Sequence, residues 1–470
     1  MADINKAVND AKALAQQLAQ PELAGGDFAK SLTTGNELVT PGTDGGAAFR
    51  RQDLASDVIN LTWGDRDFTI FNLIPRVRAT STAYEYTVQT GYGEFGSSRF
   101  VPEMEIASIN DIAVERKFAP VKIISDTRQA SLLSMQVDNI TDPMDRLTEA
   151  SMLTVAKTIE YGIFYGDADM SGIGAGQGYE FDGWEKLVDP ANILDNEGRV
   201  LTEQDLNAAA VKIAENFGRA DSAFMPVGVQ ASFVQNQLGR QWVTQGTAEN
   251  VNSGFNVPKF YSAQGAIDLY PSTITRLDKI LNLKKPVSYN APAAPVVTAT
   301  VATGAGKFQD ADLLATAKYA VVIQSDGSGD SAATLVEATV SDKKQEVTLD
   351  VNLGVQIIGK PRNIAVYRLD AFSNTYFLVG RVPFYQATNT AGSFHLKFVD
   401  KNETIPGTAE VFIGSMDRNV LALAELDTMT RLPLATVKAS VQFTVLWQGT
   451  MALFAPAKVA MIKNVKGQVF

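Results

Sequence analysis

Seven short runs of alternating apolar and polar residues crowd into one stretch of the chain. They are VVTATVAT at 296–303, KYAVVIQS at 318–325, ATLVEATV at 333–340, QEVTLDV at 345–351, RNIAVYRL at 362–369, TYFLVGRVP at 375–383 and FHLKFVD at 394–400. Alternation with period two puts one side of a strand in a core and the other in water. Turn clusters such as Ser325-Asp326-Gly327-Ser328-Gly329 separate the runs. Strands of this length and spacing predict a β-sandwich of immunoglobulin or fibronectin type over 291–404. The Pro/Ala-rich PVSYNAPAAP, beginning at Pro286, marks its entry. Beyond Pro406 mixed texture resumes, so the sandwich reads as an insertion, and 405–470 should rejoin what was left at 285.

The remainder of the 470 residues is α+β. PMDRLTEASMLTVAKTIEYGIFY at 143–165 is the strongest helix, with Asp142 as N-cap, Pro143 in the first turn and Gly166 at its end. Met152, Val155, Ala156, Ile159 and Ile163 make its apolar stripe. A second helix follows Thr202, with Glu203 and Asp205 in its first turn and Gly218 at its end. A third is expected over 229–241, after a buried strand at 224–229. The first 20 residues carry a helical stripe (Ile4, Val8, Ala11, Leu14, Leu18) stopped by Pro21, and 21–50 reads as a Gly/Thr/Pro-rich arm. A short helical stretch is expected within 53–75.

Residues 77–130 read as a long two-stranded excursion with a loose tip. It carries Arg76, Arg78, Arg99, Arg116, Lys117, Lys122 and Arg128 at its margins and along it, interleaved with Glu85, Glu94, Glu103, Glu105, Asp111 and Glu115. A mixed-charge strip suits pairing between subunits better than tracking of phosphates. An isolated hairpin is unstable in water, so this one should lie against something else.

Composition removes most catalytic chemistry. There is no cysteine and a single histidine, His395. Thiolate metal sites, disulfides, Cys nucleophiles and multi-His centres within one chain are therefore excluded. His395 sits in a strand run with no serine elbow or ligand partners nearby and reads as a surface or edge-strand imidazole. A net charge of −11 opposes nonspecific nucleic-acid binding. No apolar run approaches the ~18–20 residues of a membrane span, and the N-terminus lacks the layout of a signal peptide. GAGK at 304–307 lacks the Gly and Ser/Thr that a phosphate loop requires, since Val301 and Phe308 stand there. GIGAGQG at 172–178 is a plain glycine-rich loop. Asp167, Asp169, Ser171 and Gly172 copy the start of a calcium loop, but its bidentate Glu is replaced by Gly178. No active site assembles, and no cofactor or metal is expected. An arm, a projecting hairpin, a rod-like helix and an all-β insertion argue instead for a subunit of a large assembly.

Several stretches carry a resemblance in order and spacing: KSLTTG at 30–35, DPMDRLTEASMLTVAKTIEYGIFYGDAD at 142–169, FDGWEKL at 181–187, FMPVGVQASFVQNQL at 224–238, GFNVPKFYSAQGAI at 254–267, RLPLAT at 431–436 and FTVLWQGTMALFAPAKVAMIKNVK at 443–466. By these the chain resembles the major capsid proteins of tailed bacteriophages, of contractile-tailed (myovirus) type, which have the Hong Kong ninety-seven (HK-97) capsid fold. The resemblance implies an N-terminal helix and arm (1–50), a peripheral domain beginning at 51–77 and an E-loop (78–128). It further implies a peripheral domain with a spine helix (129–179), an axial domain (180–286, returning at 405–440) and closing peripheral strands (441–470). The sandwich at 291–404 would be a surface insertion. It implies E-loop contacts between subunits through Arg78, Arg99, Glu103, Arg116 and Lys117, and a spine built on Met152, Val155, Ile159 and Ile163. It implies a homo-oligomer of hexamers and pentamers enclosing double-stranded DNA in the virion, with portal, scaffold and decoration proteins as partners. A protease-processing junction is expected between Lys30 and Ser31. The rival readings are an adhesion or carbohydrate-binding protein displaying the sandwich, and a tail sheath or tube subunit.

Overall fold

A computed structural model describes residues 67–91, 100–106, 109, 111–137, 142–171, 174–237, 257–273, 280–283, 287–308, 316–326, 329–354, 360–370, 372–390, 392–435 and 439–467. The expected N-terminal helix and arm, Arg99 and the Lys30–Ser31 junction lie outside these residues.

Local signals fix the helices. The long helix Pro143–Tyr165 starts where Asp142 Oδ1 accepts from the Met144 N–H at 2.8 Å, with proline in its first turn. Its stripe buries Val155, Ala156, Ile159 and Ile163, each large aliphatic contributing roughly 1.5–3 kcal/mol. Met152 departs from the expected stripe and is 38 % exposed. The strand Lys122–Ser131 presses on the flank one residue away, where buried Ser151 donates to Asp126 O at 3.4 Å. The helix Glu203–Glu215 is closed by a reciprocal capping box between Thr202 and Asp205. The third helix begins at Val227 rather than 229, directly after the strand Ser222–Pro226, and its described part ends at Gln237.

Two sheets share the long helix. A four-stranded sheet runs in the order Arg76–Arg78, Leu421–Pro433, Ser440–Leu453, Lys122–Ser131. A six-stranded sheet runs in the order Ile193–Asp195, Ala460–Lys466, Thr408–Gly414, Ser222–Pro226, Gly265–Ser272, Lys259–Ser262. Strand alternation divides the six-stranded sheet between two cores. Ala223, Met225, Val411 and Ile413 face the helices 203–215 and 227–237. Phe224 and Phe412 face the other way, onto Phe164 and Trp184, with Phe164 and Phe412 ring centres 5.0 Å apart. The two segments after the sandwich do not divide at 440. Thr408–Gly414 and Ala460–Lys466 join the six-stranded sheet, whereas Leu421–Pro433 and Ser440–Leu453 form a hairpin in the four-stranded one.

The insertion is a sandwich of two four-stranded sheets. One runs Thr334–Thr339, Thr316–Asp326, Lys360–Asp370, Thr375–Pro383; the other runs Thr388–Thr390, Ser393–Asp400, Gln345–Asn352, Val296–Thr303. Val321, Ile323, Val347, Leu349, Val351, Ile364, Val366 and Leu396 fill the space between them. The neighbour order is not that of an immunoglobulin constant domain, where the first, second, fifth and fourth strands share a sheet. Here the first strand pairs with the fourth and the second with the third and fifth. Alternation specifies which face of a strand is buried but not which strand lies beside it, so the sandwich was legible and its connectivity was not. His395 is not on an edge strand: its strand is flanked by Thr388–Thr390 and Gln345–Asn352, and Nδ1 lies 3.0 Å from Asp350 Oδ1. Toward the body, Arg381 donates to the Tyr161 hydroxyl at 2.6 Å and Asn363 Nδ2 to Met170 O at 3.0 Å.

Candidate assembly interface

The projecting hairpin pairs Ala83–Gly91 with Ala113–Pro120 in a sheet of its own. It is therefore shorter than the expected 78–128. Arg78 pairs alongside Glu425 in the four-stranded sheet, and Lys122 and Arg128 belong to the strand Lys122–Ser131. The alternation of AVERKFAPVKIISDT runs straight through the turn at Pro120–Val121, which hides the change of sheet. Arg78 is thus a body residue rather than an E-loop contact.

Period two gives the hairpin two unlike faces. Tyr84, Tyr86 and Lys117 turn toward their own chain. The Tyr86 ring meets Phe454 edge-on at 4.9 Å, Tyr84 meets the same ring at 6.2 Å, and the Tyr86 hydroxyl donates to Leu453 O at 3.4 Å. Burial, then the nearby Glu115 carboxylate, raises the Tyr86 phenol pKa. The other face carries Glu85, Val114, Arg116 and Phe118 and is exposed. Arg116 pairs with Glu85 across the strands, and Lys117 Nζ lies 3.5 Å from Glu115. Such open ion pairs contribute ~0–1 kcal/mol and cannot hold a hairpin by themselves.

The informative feature is apolar. Phe100, Met104, Ile106 and Ile109 are 88 %, 97 %, 95 % and 99 % exposed, and Ile112, Val114 and Phe118 are each more than half exposed. Exposed apolar side chains gathered in this way are the kind of feature that contact surfaces carry. Glu103, expected here, is exposed among these residues, as is Arg116, while Lys117 is half-buried. The charges along the excursion do not reveal the hydrophobics between them. The signal was available in FVPEMEIASINDIAV, where large apolar residues recur without a helix or strand period to bury them.

The acidic turn after the long helix is filled from inside. Lys186 Nζ contacts Asp167, lies 2.7 Å from Asp169 Oδ2 and 3.0 Å from Asp182 Oδ1. Burial alone would lower its pKa, but hydrogen bonds to the three carboxylates override this and raise it. The Lys186 hydrogen bond in turn lowers the Asp169 pKa. A tethered ammonium therefore stands where a cation would be held in a calcium loop. Among the described residues no group of acidic or histidine side chains is arranged to hold a metal, and no helix is long and apolar enough to cross a membrane.

Comparison with known proteins shows which family the chain belongs to. The family model of the SU10 major capsid protein matches residues 33–303, more than half of the chain. The major capsid protein of Staphylococcus phage K is 42 % identical over 444 residues, covering 94 % of this chain and 95 % of its own. This chain belongs to the SU10 major capsid protein family. A further relative from Enterococcus phage phiEF24C is 40 % identical over 448 residues, covering 94 % of this chain and 96 % of its own. Among solved structures, the capsid of an empty GTA particle covers 92 % of this chain and 99 % of its own at 9 % identity, with a TM-score of 0.47. The structure from Gordonia phage Cozz covers 89 % and 92 % at 9 % identity, with a TM-score of 0.45.

Proposed function

We propose that copies of this protein assemble into hexamers and pentamers that close into an icosahedral phage head around double-stranded DNA. Genome packaging then expands the shell, and the hairpin strip of each copy lies on the copy beside it. Family membership supports the role of shell subunit. The single observation that supports the mode of contact is the exposed run Phe100, Met104, Ile106 and Ile109. Burying such side chains contributes roughly 1.5–3 kcal/mol each, far more than the open ion pairs beside them. The net charge of −11 favours no general attraction to the enclosed DNA. The resemblance further supports removal of residues 1–30 at the Lys30–Ser31 bond, and portal, scaffold and decoration proteins as partners. Intact mass of the protein recovered from particles tests the cleavage.

The triple variant Met104→Asp, Ile106→Asp, Ile109→Asp tests the contact. Its side chains face water in the single subunit, so melting temperature and circular dichroism are expected to match wild type. Electron microscopy is expected to find no closed shells. Normal shells from this variant would refute the assignment of the strip.

A further inference from the structure

The helix Glu203–Glu215 ends in a Schellman turn. The Gly218 N–H donates to Ile213 O and the Phe217 N–H to Ala214 O, both at 2.9 Å. This turn forces the residue after the C-cap, Asn216, into the left-handed region. That residue is Phe217, with φ of 58°. Glycine or asparagine normally fills the position, because other side chains crowd the backbone there at a cost of roughly 1–2 kcal/mol. The other left-handed non-glycines among the described residues are Asn374, Asn402, Asn464 and Glu197. Phe217 is the only bulky apolar residue of the set.

Glycine stands one position later, for a reason of space. A Cβ on Gly218 would lie 2.7 Å from Ile213 Cγ2 and 3.0 Å from Lys458 Cβ. Phe217 has no such internal reason, since it is 93 % exposed. It meets two separate penalties in the single subunit, a strained backbone and an aromatic ring in water. Both are understandable if the ring is buried in the assembled state.

We propose that Phe217 is an anchor that seats in apolar surface on an adjacent copy of this chain. The inference rests on the shell reading above, in which copies of this chain meet one another. The mounting suits an anchor. Two backbone hydrogen bonds fix the turn, and Arg219 lies against the next turn, its Nη2 3.2 Å from where a Cβ on Gly265 would stand. A ring held out on a fixed backbone loses little freedom on docking. Phenylalanine is among the aromatic residues enriched at interfaces.

The test is Phe217→Asn in the full chain, with Phe217→Tyr as the conservative control. Asparagine accepts the left-handed turn, so the N variant is expected to melt no lower than wild type. Its threshold concentration for shell formation, read by light scattering and electron microscopy, is expected to rise at least about tenfold, with Tyr restoring most of the loss. An N variant that assembles at the wild-type threshold overturns the anchor while leaving the shell reading intact. An N variant that melts well below wild type also overturns it, because Phe217 would then be holding its own fold. Wild-type protein that stays monomeric under all assembly conditions overturns the shell reading and this inference together.

Discussion

Arg368 Nη1 donates to Asp400 Oδ2 at 2.6 Å across the two sheets of the sandwich, with both side chains almost closed to water. Tyr319 donates to the same oxygen at 2.8 Å, Arg368 also reaches Asn402 Oδ1, and the Asn402 N–H donates to Asp400 Oδ1 at 2.8 Å. Burial, then the Asp400 charge, raises the Tyr319 phenol pKa well above its ordinary value. Asp400→Ala leaves the guanidinium buried without its anion, a change that costs about 3–5 kcal/mol. Thermal melting and faster amide exchange over 316–326 and 360–370 check it.

Lys186 makes a second prediction. Lys186→Met leaves Asp167, Asp169 and Asp182 facing one another without their ammonium. The variant is expected to lose roughly 1–3 kcal/mol in the presence of a chelator. Millimolar calcium is expected to restore part of its melting temperature and to leave wild type unchanged. The lowered Asp169 pKa fixes the pH window. Its contribution is present above the ordinary aspartate value, about 3.9, and is lost as pH falls through the lowered folded value. Melting of wild type between pH 5 and pH 2 reads this directly.

Glu160 is buried in the long helix, where its Oε1 accepts from the Thr69 N–H and hydroxyl, each at 3.1 Å. Its Oε2 has no hydrogen-bond partner among the described residues. Burial raises its pKa, and hydrogen bonds from Thr69 and from the backbone of Phe71 and Ile70 only partly oppose this. A carboxyl with a raised folded pKa contributes stability below its unfolded value, about 4.3, and loses it as pH rises through the folded value. Glu160→Gln keeps an acceptor for Thr69 and removes the charge. It is expected to gain stability at pH 8 and nothing near pH 4, read as the difference in melting temperature across that range.

Gly183 lies where two backbones touch. Its N–H donates to Gly166 O at 2.8 Å, and a Cβ there would stand 2.5 Å from Gly162 O and 2.7 Å from Gly166 N. These neighbours are main chain and cannot swing aside. Gly183→Ala is expected to cost roughly 2–4 kcal/mol and to lower expression of folded protein, measured by denaturant unfolding of the soluble fraction.

What the sequence disclosed follows a physical divide. Caps act between residues two or three apart, so the start of the long helix at Asp142 is read directly, and Asp205 is read in a first turn though not as the partner of Thr202. Strand alternation is equally local, which is why the sandwich was foreseen. Neighbour order, the true root of the hairpin at Ala83 and Pro120, and the exposure of Met152 depend on segments far away in the chain. Lys186 shows the same limit. The acidic loop was recognisable, but its counter-ion comes from a helix nineteen residues after Asp167. The hairpin strip is legible in the same local terms, as large apolar residues that recur without a helix or strand period.

The sandwich is threaded rather than plugged in. Its first and last strands both run antiparallel to Gln345–Asn352, so the two point the same way. The chain enters opposite Asn352, at Val296, and leaves opposite Val347, at Asp400, about 17 Å further along at the usual rise of a strand. Excision therefore needs a linker of about five extended residues, where an insertion with adjoining ends would need almost none. Tension between entry and exit would load these strands lengthwise, in shear, against all of their cross-strand hydrogen bonds at once. Entry and exit therefore lie at opposite ends of two like-directed strands, so a pull between them runs along the strands rather than peeling one from the next.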